Sequence, residues 1–411
     1  MNSSDPYNPA DCRPYPKIGI YTGQGTSHSW LWFVEIFERM GFYDLAFLTE
    51  NQLKTNRLDR LDVLAMSGGD TFAIAEGLGQ EGADRLDQFI RNGGLYIGSC
   101  AGAYLPLNSS KEHLNLFNFV PTKIANLTRT LPEAQRLREK FCTAYGCSFI
   151  FHPVREAVQI ATNGFTPFSK VPSLDAPLYG GPPMIAGDSA QVLATYSGFT
   201  KKTLFLVDEQ LARDTVLGRA AVIRHKMGTG YLHLYGPHFE HPRFIVANQL
   251  LADAMLWDLQ HNPVRAGENN ANEEIITGEA CLNLLRDIKR EISNSRVVAV
   301  GLETMPVRWL IGKKIYETAK IREFIEPVWS RIKVLEKAGQ VCIQKGQDRV
   351  IIQKASEVTS LLRDIKNRIN HHADTHDMAG RMFRRLNKVC TLFFESFFRT
   401  KMRPFRAENE A

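Results

Sequence analysis

The sequence predicts an α/β layer fold followed by an antiparallel helical bundle, and three observations carry that prediction. Before about residue 260, short apolar runs alternate with amphipathic stretches, the pattern of strands and their connecting helices. After it, apolar residues recur at alternating spacings of three and four, which marks helices that each bury one stripe. Between the two lies His261 to Asn272, HNPVRAGENNAN, polar, rich in Asn and Gly and interrupted by a proline, which reads as a linker. The chain is thereby divided into an N-terminal tail (1–16), an α/β domain (17–260), the linker (261–272) and a basic bundle domain (273–411).

Taken in order, Lys17 to Tyr21 reads as a buried first strand, Trp30 to Met40 as a helix, Leu45 to Leu48 and Val63 to Met66 as further strands. Leu86 to Asn92 ends a helix, which the Gly93-Gly94 pair stops before the strand Leu95 to Gly98. Val192 to Tyr196, Thr203 to Val207, Ala220 to His225 and Tyr231 to Tyr235 have the β-branched and aromatic content of later, partly antiparallel strands. Phe244 to Leu259 reads as a closing helix. In the bundle, one stripe is Cys281, Leu285, Ile288 and Ile292, and a second is Ile321, Ile325, Val328, Ile332 and Leu335, with a kink expected at Pro327. Ile351, Ala355, Val358, Leu362, Ile365 and Ile369 make a third; Met378, Met382, Leu386, Val389 and Phe393 a fourth.

Composition bounds the function classes. The 411 residues, 44% hydrophobic and 23% charged, suffice for two domains and exclude global disorder. No uninterrupted apolar run approaches the roughly 20 residues needed to span a bilayer. Met1 to Ala10 lacks a signal pattern, so a cytoplasmic protein is expected. Seven scattered cysteines, an odd number, argue for free thiols over a disulfide scaffold. The net charge of +6 is uneven: from Arg265 onward 27 Lys and Arg face 19 Asp and Glu, while the front is close to neutral. Basic residues such as Arg381, Arg384, Arg385 and Lys388 near Phe393, Phe394, Phe397 and Phe398 read first as the solvated face of a bundle helix. A protein partner or self-association through the bundle comes next, then peripheral membrane contact; no nucleic-acid motif is present.

The segment that carries chemistry is Leu95 to Leu105, LYIGSCAGAYL. A strand running into Gly98-Ser99-Cys100-Ala101-Gly102 is the G-x-C-x-G form of a nucleophile elbow, whose flanking glycines allow strand and helix to approach. Unpaired N–H groups of the following helix favour thiolate over thiol. Downstream, Tyr235-Gly236-Pro237-His238-Phe239-Glu240 offers a base and an orienting carboxylate two residues apart, on one side of an extended segment. Ser67-Gly68-Gly69-Asp70 is a Gly-rich strand end whose N–H groups, with that of Ala101, would form an oxyanion hole. Gly23 to His28 is a poor dinucleotide loop because His28 replaces the third glycine, and reads instead as a turn lining the cleft through Gly25 and Ser27 or His28. His371, His372 and His376 read as an inter-helix turn, and the chemistry calls for no metal or organic cofactor.

With these segments in the order SGGD, GSCAGAY, GPHFE, the chain resembles the class I glutamine amidotransferase superfamily over residues 17 to 260. Tyr21 to Ser27 and Cys100 to Tyr104 look like the amidotransferase-like domain at the N-terminus of some biotin-protein ligases. The resemblance implies a flavodoxin-like mixed sheet with helices on both faces, Cys100 as nucleophile, His238 as base, Glu240 as orienter, and Gly69 and Ala101 as oxyanion donors. It also implies Gly68 and Tyr104 at the substrate. Two departures stand out. Tyr104 replaces the glutamine usual in glutamine-using members, and no ligase catalytic domain follows. The expectation is a thiol-dependent amidohydrolase or amidotransferase-like hydrolase acting on a small-molecule or peptide amide other than free glutamine. The alternative is a non-catalytic ligand-binding or regulatory module whose bundle docks a partner.

Overall fold

The computed structural model describes residues 16–136, 148–165, 167–259 and 273–409, so Cys12, Cys142, Cys147 and the expected linker lie outside the described residues. The chain divides into two compact units. One holds the segment up to Gln24, Trp32–Asn126, and the chain from His152 to the helix Ile245–Leu259; the other holds Gly25–Leu31, Leu127–Phe151 and everything from Glu273 onward.

The first unit is built on a 12-stranded mixed sheet. Its strands are β1 (Ile18–Tyr21), β2 (Leu45–Leu48), β3 (Val63–Met66), β4 (Leu95–Ser99), β5 (Lys123–Ile124), β6 (Val154–Thr162), β7 (Ser173–Leu178), β8 (Met184–Ile185), β9 (Ala190–Phe199), β10 (Leu204–Phe205), β11 (Ala220–Met227) and β12 (Gly230–Tyr235). The order β10-β6-β9-β11-β12-β4-β3-β1-β2 joins an antiparallel half to a parallel half. The parallel half begins where β12 pairs with β4 in the register Tyr231↔Leu95 to Tyr235↔Ser99. β1 and β3 are buried at every position, as expected for strands covered on both faces.

The helix Thr71–Arg91 buries Leu78, Leu86 and Ile90 in a core with Leu64, Met66, Leu232 and Leu234. Each such side chain contributes about 1.5–3 kcal/mol by leaving water. Asp70 caps that helix, its carboxylate accepting from the N–H groups of Phe72 and Ala73 at 3.1 and 3.3 Å. The closing helix is anchored by a buried charge cluster. Asp258 accepts from Arg224 Nη2 at 2.5 Å and Nε at 2.8 Å, and pairs with His233 Nε2 at 2.6 Å. Burial opposes ionisation of Asp258, but Arg224 and His233 outweigh it and hold the carboxyl below its ordinary range. This pair resembles a catalytic dyad, yet Arg224 occupies the carboxylate as well, and its geometry is that of a structural clamp. Asp258→Ala is expected to destabilise the protein by about 2–3 kcal/mol, because it leaves the buried His233 and the partly buried Arg224 without their carboxylate; urea unfolding checks this.

In the second unit the four expected stripes lie on the helices Gly278–Glu303, Ala319–Ala338, Gln347–Asn370 and His376–Asn409, with Cys281, Ile288, Ile325, Ile332, Val358, Leu362, Leu386 and Phe393 all buried. The second of these helices contains Pro327 within its length. Two small sheets that helical periodicity does not reveal accompany them: β13 (Glu273–Thr277) pairs with β16 (Gln340–Gln344), and β14 (Arg308–Ile311) with β15 (Lys314–Glu317), all antiparallel. Phe393, Phe394, Phe397 and Phe398 are buried, with the Arg331 guanidinium 5.3 and 5.7 Å from the centroids of Phe394 and Phe397. These four phenylalanines therefore form core. No helix among the described residues is long and apolar enough to cross a membrane.

Candidate active site

Cys100 directly follows β4 in a conformation that few non-glycine residues adopt, φ 52° and ψ −106°. The turn is enforced from both sides. A Cβ on Gly98 would lie 2.3 Å from the Gly102 carbonyl oxygen, and one on Gly102 would lie 2.1 Å from that of Met66 on β3. Hydrogen bonds finish the lock: Cys100 N–H to Tyr235 O at 3.0 Å, Gly102 N–H to Ser67 O at 3.1 Å, and Tyr96 Oη–H to Gly102 O at 2.7 Å. The helix after the elbow is a single turn, Ala101–Tyr104. Its dipole is that of a single turn.

The side chain beside Cys100 is His238. Because β12 lies directly beside β4, the segment following Tyr235 returns over the elbow. His238 Nδ1 donates to Glu240 Oε1 at 2.6 Å, which leaves the other ring nitrogen for Cys100, with which His238 also hydrogen-bonds. Cys100, His238 and Glu240 are all buried, Glu240 completely. Burial pulls the imidazole pKa down, but the Glu240 carboxylate and the Cys100 sulfur outweigh it and raise it to about 10.

The sign of the linkage follows. With a folded-state pKa above the unfolded value near 6.5, the imidazolium stabilises the fold fully below about pH 6.5 and loses that contribution as pH rises through about 10. The stability difference between the native protein and His238→Gln is expected to narrow across that window, as unfolding measured at pH 6 and pH 10.5 would show.

Sequence reasoning missed several residues at this site. Ser99 Oγ–H donates to Glu240 Oε2 at 2.8 Å; a serine before an elbow looks like any strand residue, and only the Tyr235↔Ser99 register reveals it. Trp32 meets the His238 ring edge-on at 5.1 Å, and Tyr179 lies 5.8 Å from it. His241 approaches both rings, at 4.5 and 6.1 Å. Tyr179 Oη–H donates to Glu156 at 3.1 Å. Burial and the Glu156 carboxylate, partly offset by Arg155 and Arg243, push that phenol up to about 12. Glu156 has φ 69°, like Cys100 a non-glycine residue with positive φ.

Of the remaining expected residues, Gly68, Gly69 and Ala101 are buried at the ends of β3 and β4, in the same unit as the Cys–His–Glu cluster. Tyr104 is buried, its hydroxyl accepting from Asn126 Nδ2 at 2.9 Å. Gly25 and Ser27 fall in the other unit. There Ser27 Oγ lies 2.9 Å from Ser29 Oγ, and His28 pairs with Glu323 at 2.9 Å. His371 and His372 are exposed in the turn before the last helix.

Comparison with known proteins gives three kinds of match. A curated relative, an uncharacterized peptidase of Listeria monocytogenes, is 28% identical over 125 residues; the match spans 27% of this chain and about 60% of the length of that protein. Solved structures similar to this chain include a glutamine amidotransferase from Thermotoga maritima (10% identity, 60% of this chain and 87% of that chain, TM-score 0.34). They also include a cytoplasmic protein from Salmonella typhimurium (13%, 59% and 98%, 0.36) and a beta-galactosidase from Bacillus circulans (13%, 65% and 34%, 0.32). Over residues 17–112, the stretch that runs from β1 through the Cys100 elbow, the chain matches the family "Biotin-protein ligase, N terminal".

Proposed function

We propose that this protein is a thiol-dependent amide hydrolase of the amidotransferase-like kind. The observation that carries the reading is the buried Cys100–His238–Glu240 cluster at the carboxyl ends of adjacent parallel strands, where open α/β sheets bind ligands. His238 holds the thiol proton. The thiolate attacks the amide carbonyl, the oxyanion is met by the N–H of Ala101 and that of Gly69, and the imidazolium returns its proton to the leaving nitrogen as the C–N bond breaks. Water, deprotonated by His238, then hydrolyses the thioester and frees the acid. Gly68 and Tyr104 border the acyl side.

Two features favour a substrate other than free glutamine. Tyr104 presents a ring and one hydroxyl, which accepts from Asn126, where an amide would offer both a donor and an acceptor to a polar substrate. Since His238 must protonate the leaving nitrogen, the Trp32 and Tyr179 rings beside it border the leaving group, and such a wall suits a substituted amine better than ammonia. The curated relative named a peptidase accords with this.

The testing experiment measures ammonia release from millimolar glutamine, and cleavage of a peptide library by mass spectrometry, for the native protein and Cys100→Ala. Little ammonia is expected, with cleavage of secondary amides lost in Cys100→Ala, and Tyr104→Gln should gain little glutaminase activity. Robust glutamine turnover that depends on Cys100 would restore the ordinary glutaminase assignment.

A further inference from the structure

An orienting carboxylate has two oxygens, and at this site both are engaged. Glu240 Oε1 accepts from His238 Nδ1 at 2.6 Å, and Oε2 accepts from Ser99 Oγ at 2.8 Å. Ser99 and Glu240 are each wholly excluded from solvent, so bulk water has no access to replace the hydroxyl. The strand delivers it deliberately: Ser99 is the last residue of β4, adjacent in sequence to Cys100 and opposite Tyr235 in the parallel ladder. Ser99 Oγ also lies 3.5 Å from His238 Nδ1, so it sits at the junction of base and carboxylate.

We propose that Ser99 is a positioning residue of the nucleophile machinery, its hydroxyl fixing the second oxygen of Glu240 so that the first holds His238 in the tautomer and orientation that face Cys100. The inference rests on the thiol-hydrolase reading of Cys100 and His238. Without Ser99 the carboxylate is tied at one oxygen and free to pivot about its last bond, while its other oxygen is buried without a donor. The imidazole then loses the fixed partner that keeps its far nitrogen aimed at sulfur.

The test uses the full chain and needs no substrate. In the native protein, the proton shared between His238 and Glu240 should give a downfield imidazole signal in proton NMR, absent from His238→Ala, and iodoacetamide should alkylate Cys100 rapidly at pH 6.5. In Ser99→Ala the downfield signal is expected to move upfield and exchange faster, and alkylation to slow by about ten- to a hundredfold, the effect of one hydrogen bond to a charged group. Ser99→Thr, which keeps the hydroxyl, should recover both. A Ser99→Ala protein with the native signal and alkylation rate overturns the role of Ser99, while slowed alkylation in His238→Ala keeps the parent reading intact. If His238→Ala alkylates as fast as the native protein, the parent reading fails, and the role of Ser99 with it. Should Ser99→Ala fold poorly, Ser99→Cys, which keeps the size and weakens the donor, must show the same two changes in smaller measure; unchanged signals there overturn the proposal equally.

Discussion

Cys100→Ala and His238→Ala are each expected to remove amide turnover almost entirely, by about 10⁶-fold, and the double variant to be no worse than either single one. Residues that form one nucleophile unit fail together, because half of a thiolate–imidazolium pair does no chemistry. Glu240→Gln should be milder, a loss of up to about 10⁴-fold. The reason is geometric. A glutamine can turn its oxygen to His238 Nδ1–H and its NH2 to Ser99 Oγ, so the tautomer survives while the charge that supports the imidazolium is lost. Product analysis on a library of peptide and small amides checks the order Cys100 ≈ His238 > Glu240. A Cys100→Ala protein with native turnover would end the mechanism.

The second large effect is on the elbow. Gly102→Ala places a methyl group 2.1 Å from Met66 O and 2.7 Å from its carbonyl carbon. These are backbone atoms of a central, fully buried strand, so no rotamer change relieves the clash. The one-turn helix must lift away from β3, breaking the Gly102–Ser67 and Tyr96–Gly102 hydrogen bonds. A stability loss on the order of 3 kcal/mol or more is expected, with alkylation of Cys100 at pH 6.5 slowed in whatever fraction stays folded. Urea unfolding and thiol labelling on the same samples measure both. Gly41→Ala is the natural control for added bulk: a Cβ there meets nothing within 4 Å, although its φ of 83° carries some strain of its own.

Much of this site was legible because its parts announce themselves locally. β1, β3 and the first four residues of β4 are apolar, and GSCAG carries its steric reason in its glycines, whereas His238 and Glu240 meet through a turn closed by His241 N–H to His238 O at 3.0 Å and not through the extended backbone expected. What escaped depends on pairing between distant segments. β6 reads poorly because the positive φ at Glu156 breaks its alternation: Val154, Ala157 and Val158 are buried while Glu156 is exposed. β7 hides behind Pro177, and the β14–β15 hairpin behind a Gly312 turn set among helical stripes. Ser99, Trp32 and Tyr179 bear on the site only through the β4–β12 ladder and ring packing, which one-dimensional spacing does not encode. The turn at Gly25 and Ser27 groups with the helical unit, where His28 is held by Glu323.

The central claim is that Cys100 is a nucleophile made reactive by His238. Its most direct test is the rate of Cys100 alkylation by iodoacetamide from pH 5 to 10, read peptide by peptide by mass spectrometry in the full chain. Cys281, Cys342 and Cys390, the other buried thiols among the described residues, serve as internal references, the last two bonded through sulfur to Glu273 and to the Phe324 carbonyl. The account predicts rapid labelling of Cys100 already at pH 6 to 7, well below the range where a free thiol with pKa near 8.5 becomes reactive, and a collapse of that rate in His238→Ala. Labelling that rises only above pH 8 and is indifferent to His238 would contradict it.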